Sequence, residues 1–174
     1  MNSPRERILD TATILFHQQG YNSTGINQII SEAKVAKASF YQHFKSKDDL
    51  CVTFLNIRHD YWFGELQKFV SKLPEPKQKI LSTFDFLIAM NEKENFRGCS
   101  FLNLLSEIPA DKTVILQIIQ KHKQDLRNFF RAQLEDKIKA DHIYLLFESS
   151  IIESQLFRSN ELIRTSQNII DNLI

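Results

Sequence analysis

Four lysines, Lys34, Lys37, Lys45 and Lys47, fall within Ala-Lys-Val-Ala-Lys-Ala-Ser-Phe-Tyr-Gln-His-Phe-Lys-Ser-Lys, residues 33–47, and no acid interrupts them. The whole 174-residue chain carries 22 Lys and Arg against 21 Asp and Glu, a net charge of +1, so this run is a local concentration in a neutral protein. Cations and hydroxyls are the groups that hold phosphate oxygens. Thr24, Ser39, Tyr41 and His43 stand beside the lysines to supply further donors, and Lys37 is best placed for a base edge. A charge run alone is equally a solvated surface, and the elements that carry it decide between the two.

Apolar residues recur at helical spacing along nearly the whole chain. A first helix over 4–19 carries Ile8, Leu9, Ala12, Leu15 and Phe16 on one stripe and closes at Gly20. Asn22, Ser23 and Thr24 offer N-caps for a short helix that ends near Lys34 and Val35, and a second short helix covers 36–43. Phe40 and Phe44, four apart, are wedges that lock this helix onto the first. Ser46 caps a long helix over 47–72, stopped by Pro74 and Pro76. Further helices are expected at 77–91, 99–108, 111–136, 141–159 and 161–173, nine in all and no strands. Two short helices joined by a tight turn and braced by a longer one form the arrangement that lays a second helix in the DNA major groove.

The residues Gly20-Tyr21-Asn22-Ser23-Thr24, Ile26-x-x-Ile29 and Val35-Ala36-Lys37-Ala38-Ser39-Phe40-Tyr41-Gln42-His43-Phe44-Lys45-Ser46-Lys47-Asp48-Asp49-Leu50 resemble the DNA-binding segment of the TetR family of bacterial transcriptional regulators, a likeness that covers residues 5–50. The resemblance implies an all-α protein with an N-terminal three-helix helix-turn-helix domain at 1–47 and a C-terminal ligand-sensing and dimerisation bundle at 48–174. By position it implies that Thr24, Lys37, Ser39, Tyr41, His43 and Lys47 contact DNA. It further implies a homodimer on a palindromic double-stranded operator, with repression relieved by a small-molecule effector.

Three neighbouring residues depart from the family pattern: Lys34 and Ala38 replace glycines, and Ala36 replaces a capping Ser or Thr. A non-glycine residue in a left-handed turn costs on the order of 1 kcal/mol, and a missing N-cap about as much, so the recognition helix is expected to fray at its start. Lys34 compensates, on this expectation, with a phosphate contact of its own.

Charges balance over the remainder, whose aromatic helices are too apolar for a solvated surface. Helices 141–159 and 161–173 place Ile143, Phe147, Ile151 and Phe157, then Ile163, Ile170 and Leu173, on stripes, with Ser149, Ser150 and Ser154 allowing close approach. These two helices are the expected dimer contact. An effector pocket is expected among His59, Trp62, Phe63, Phe84, Leu87, Phe101, Asn103, Ile119, His122 and Phe147, although an aromatic stripe is equally plain core. Gly98-Cys99-x-x-x-Asn103-Leu104-x-x-Glu107 resembles a stretch of one TetR subgroup and makes Cys99 a candidate thiol sensor; a buried inert thiol is the alternative.

Cys51 and Cys99 match no metal or disulfide spacing, and neither a signal segment nor an apolar run near ~18 residues occurs, so a cytoplasmic protein outside the membrane is expected. No phosphate loop, His-Glu-x-x-His or Gly-x-Ser-x-Gly motif occurs and the five histidines are scattered, which argues against an enzyme, a bound metal or a cofactor. Two other classes stay open: a helical small-molecule-binding protein with weakened DNA recognition, and a protein-interaction module.

Overall fold

The computed structural model describes residues 2–174. Among them the chain forms nine helices and no strand: α1 (Pro4–Gln19), α2 (Ile26–Glu32), α3 (Lys37–His43), α4 (Lys47–Val70), α5 (Pro76–Lys93), α6 (Ser100–Leu105), α7 (Thr113–Gln133), α8 (Lys137–Phe157) and α9 (Glu161–Leu173). Local sequence explains several starts. Ser3 and Glu6 close a capping box ahead of Pro4 at the first turn of α1. Ser46 Oγ accepts the Asp49 N–H at 3.1 Å, so Ser46 caps α4 as its sequence suggests, and the Asp49 carboxylate accepts the N–H of the preceding Lys45 at 2.9 Å.

Two boundaries differ from expectation for a physical reason. α8 begins at Lys137, ahead of the expected start at 141, because Asp136 accepts the backbone N–H groups of Ile138 and Lys139. α2 begins at Ile26 behind Gly25, with no side-chain cap, because Thr24 is turned elsewhere. The ends of α6 and α7 fall short of the expected 99–108 and 111–136 by a turn or less.

The chain packs as two compact units, one holding residues up to Asp60 with Ser100–Gln120, the other Tyr61–Cys99 with Lys121–Ile174. The first unit therefore takes in more than residues 1–47, adding the first half of α4, α6 and the start of α7. Its core includes Ile8, Ala12, Phe16, Ile29, Phe40, Phe44, Leu50 and Phe54, with the Phe16 and Phe54 rings 5.5 Å apart. The second unit is built on Phe84, Phe130 and Phe147, whose ring centroids lie 5.3 and 5.5 Å apart, with Ile80, Ile143, Ile163 and Ile170 around them.

In that second unit the sequence stripe expected to meet a dimer mate is mostly internal. Ile143, Phe147, Ile151, Ile163 and Ile170 are buried within the unit, and Ser150 and Ser166 hydrogen-bond at 3.0 Å where α8 meets α9. A different apolar row faces outward: Leu145, Ile152 and Leu156 on α8, Leu162 and Ile169 on α9, each about half exposed or more. The two rows on α8 are offset by about one residue, which a helix converts into roughly 100° of rotation.

Candidate nucleic-acid interface

The turn between α2 and α3 holds the departures noted in the sequence. Lys34 sits at φ 52°, in the left-handed region normally given to glycine. α3 starts behind Ala36 with no side-chain cap, as the sequence requires. The turn is held from α1: Arg7 Nε donates to the Ala33 carbonyl at 3.1 Å and another guanidinium N–H to the Lys34 carbonyl at 3.4 Å. These acceptors include orphan carbonyls at the end of α2. Sequence reasoning missed Arg7, since nothing local marks an arginine that bonds 26 and 27 residues away.

α3 is anchored by Phe40 and Phe44, both buried, their rings 6.2 Å apart, with the Arg5 guanidinium 5.5 Å from the Phe44 ring centroid. With those wedges inward, Lys37, Ala38, Tyr41, Gln42 and Lys45 face solvent, and Ser39 and His43 lie half-buried at the edges. Tyr41 is 46% exposed and packs edge-on against Phe40 at 5.3 Å, which orients it without covering it. Gln42 was not singled out from sequence. Its amide, on the same exposed face, has the donor and acceptor pair that matches adenine.

Two expected DNA contacts are turned inward instead. Thr24 is fully buried, its hydroxyl donating to the Gly20 carbonyl at 2.6 Å and accepting from Gln19 at 3.2 Å. Lys47 directs its ammonium onto the carbonyls of Tyr21 and Thr24 at 2.9 and 3.1 Å and lies 4.0 Å from the Tyr21 ring centroid. Burial lowers the Lys47 pKa, against the pull of Asp48. Both residues hold the loop between α1 and α2, because that loop leaves carbonyls in need of donors. The exposed positive face thus consists of Lys34, Lys37 and Lys45, with Tyr41 among them.

The residues expected to form a pocket divide between the two units. Trp62, Phe63, Phe84, Leu87, His122 and Phe147 lie in the second, where Trp62 meets Phe63 at 5.1 Å, Phe86 at 5.0 Å, His122 at 5.6 Å and Phe147 at 6.3 Å. His59, Phe101, Asn103 and Ile119 belong to the first. Cys99 is partly buried in the second unit, its Sγ 3.5 Å from the ammonium of Lys123, which Glu148 holds at 2.8 and 2.9 Å. Burial opposes charge on Lys123, but Cys99 and Glu148 outweigh it and raise the pKa. Among the described residues no cluster of metal-binding side chains is found, and no helix is long and apolar enough to cross a membrane.

A helix presented outward on buried aromatic wedges, with exposed lysines and a tyrosine along it, defines an all-α protein of the helix-turn-helix class. Residues 8–52 match the sequence model described as bacterial regulatory proteins, tetR family. The chain is 37% identical over 113 residues to the HTH-type transcriptional regulator HbdR of Aromatoleum sp. (strain CIB), spanning 65% of this chain and 49% of that one. It is 23% identical over 175 residues to the HTH-type transcriptional repressor DhaR of Mycobacterium sp. (strain GP1), spanning 90% of this chain and 85% of that one. The crystal structure of a TetR-family transcriptional regulator from Streptomyces coelicolor superposes with a TM-score of 0.87 at 24% identity, over 97% of this chain and 87% of that one. Several other curated relatives are matched over only about a quarter to somewhat more than half of their own length. Residues 8–52 thus match the tetR-family pattern, and the chain shares its fold with a solved TetR-family regulator.

Proposed function

We propose that this chain is a cytoplasmic, ligand-responsive transcriptional regulator that binds a palindromic double-stranded operator as a homodimer and acts as a repressor. The observation that carries this is the outward face of α3, where Lys37 and Tyr41 stand exposed between Lys34 and Lys45 while Phe40 and Phe44 hold the helix in place. Lys37 and Gln42 reach base edges; Lys34, Ser39, Tyr41, His43 and Lys45 engage phosphates. The exposed row of α8 and α9 is apolar enough to meet a second copy of itself, and two-fold pairing presents two α3 helices to successive major grooves about 34–36 Å apart. An effector bound in the C-terminal region acts by favouring a dimer whose spacing no longer fits, which requires different affinity for the two states.

A titration of the full chain against a duplex from upstream of its own gene, at two salt concentrations, tests this. Tight binding with a steep salt dependence, lost in Tyr41→Ala, is the expected result. The second reading is a helical binding module with a weakened head, and the uncapped start of α3 with Lys34 in a left-handed turn favours it. Weak binding that Tyr41→Ala does not change establishes that reading and overturns the first.

A further inference from the structure

Arg7, near the start of α1, spreads its guanidinium over three backbone carbonyls. Nε donates to the Ala33 carbonyl at 3.1 Å, one terminal nitrogen to the Lys34 carbonyl at 3.4 Å and the other to the Asn2 carbonyl at 3.1 Å. Two of these acceptors are successive carbonyls of the turn that leads from α2 into α3, and all of these residues lie in the first unit. That turn has little else to hold it. The Lys34 and Val35 N–H groups reach back to the Ser31 and Ile30 carbonyls at 3.2 Å each, which closes α2 by backbone bonds alone. α2 has no basic residue in its last turn, Lys34 stands at φ 52°, and α3 begins behind Ala36 with no side-chain cap. The buried wedges Phe40 and Phe44 fix α3 from its middle onward, so the end that carries Lys37 takes its position from the turn.

We propose that Arg7 is a positioning residue for DNA binding: its guanidinium, reaching across from α1, sets the α2–α3 turn and with it the aim of Lys34 and Lys37, in place of the unstrained residue and the side-chain cap that this turn lacks. The proposal rests on the DNA-binding reading above and adds to it a residue that touches no DNA. The chemistry calls for arginine in particular. Its planar fork offers two parallel N–H groups, from Nε and one terminal nitrogen, to two neighbouring acceptors, whereas a lysine ammonium brings the same charge without the fixed plane. The positive charge also suits the carbonyl end of α2. Ile8 and Leu9, which follow Arg7, are both buried, so α1 is a firm base from which to hold the turn.

The test places Arg7→Lys and Arg7→Ala in the full chain, each with Lys34 present and with Lys34→Gly, and measures affinity for the upstream duplex at several salt concentrations together with backbone amide hydrogen exchange. Arg7→Lys is expected to lose about tenfold in affinity although the charge is kept, with the salt slope of the parent protein. The Lys34 and Val35 amides should exchange faster in the same variant while those of α1 and α4 keep the parent rate. With Lys34→Gly, where the turn is no longer strained, the loss caused by Arg7→Lys should shrink to about twofold, a coupling that a general structural role would not produce. Arg7→Ala should show the same pattern enlarged, and Arg7→Lys carries the test if Arg7→Ala fails to fold. Parent-like affinity in Arg7→Lys with a flattened salt slope in Arg7→Ala makes Arg7 a phosphate contact and overturns the proposal. Equal losses with and without Lys34→Gly, or faster exchange throughout the first unit, overturn it as well. Failure of the parent protein itself to bind removes the DNA-binding reading and this role with it.

Discussion

Replacing Lys34 by glycine should move stability and DNA affinity in opposite directions. The residue lies at φ 52°, where an L side chain is strained by about 1–2 kcal/mol. Glycine relieves that strain but gains about 0.5–1 kcal/mol of backbone freedom in the unfolded chain, so the net stabilisation lies within about 0–1.5 kcal/mol and is centred on about 0.75 kcal/mol. For a chain of this size that is a rise of about 2 °C in melting temperature. The Arg7 bonds to the turn survive, because they go to backbone carbonyls of Ala33 and Lys34. DNA binding loses one cation per protomer, which flattens the slope of log affinity against log salt by about 0.9 per protomer. Taken alone, that contribution is worth about eightfold per protomer at about 0.1 M salt and about twofold at about 0.5 M. Thermal melts followed by circular dichroism and anisotropy titrations with a labelled duplex measure the two effects. A lower melting temperature would refute the strain argument; an unchanged salt slope would remove Lys34 from the interface.

Thr24→Val removes the buried hydroxyl that donates to Gly20 and should cost about 1–3 kcal/mol in thermal or denaturant unfolding, with no change in salt slope. The Asp48 pKa is depressed, first by the hydrogen bond from Lys112 and then by that from Tyr21. Its contribution to stability is therefore complete above the ordinary aspartate range and lost as pH falls through the lower folded value. Urea unfolding should show that loss beginning only below about pH 4, and Lys112→Met should diminish it. Ile152→Glu places a charge on the outward row of α8, and forfeiting about 1.5 kcal/mol from each of two copies should weaken a dimer by about two orders of magnitude in sedimentation. Iodoacetamide should label Cys99 well before Cys51, which is fully buried with its thiol pushed up to about 12 by desolvation; mass spectrometry reads the order, and unchanged DNA affinity after labelling disposes of the sensor role.

Local chemistry made much of the first domain legible. The cap at Ser46 and the spacing of Phe40 and Phe44 are short-range facts, decided within one or two turns, and the structure places each where its spacing demands. The left-handed turn at Lys34 and the uncapped start of α3 were equally local. Thr24 and Lys47 were not. Their residue types suit phosphate, but whether a hydroxyl or ammonium faces solvent or a neighbouring carbonyl depends on how the α1–α2 loop closes, and that loop closes on Lys47 from 23 and 26 residues away.

The same division of scale holds across the molecule. Sequence by itself determined the helices, the helix-turn-helix and the cationic face of α3, because periodicity, capping and charge runs act over distances shorter than a helix. Only the tertiary structure decided which of two adjacent apolar rows on α8 is core and which faces out, since a helix turns by roughly 100° per residue and both rows satisfy a 3.6-residue period. It also decided that Glu107 and Lys112 belong with Asn22 and Asp48, contacts made across 85 and 64 residues of chain, for which no local pattern exists because the partners become neighbours only when the chain has folded.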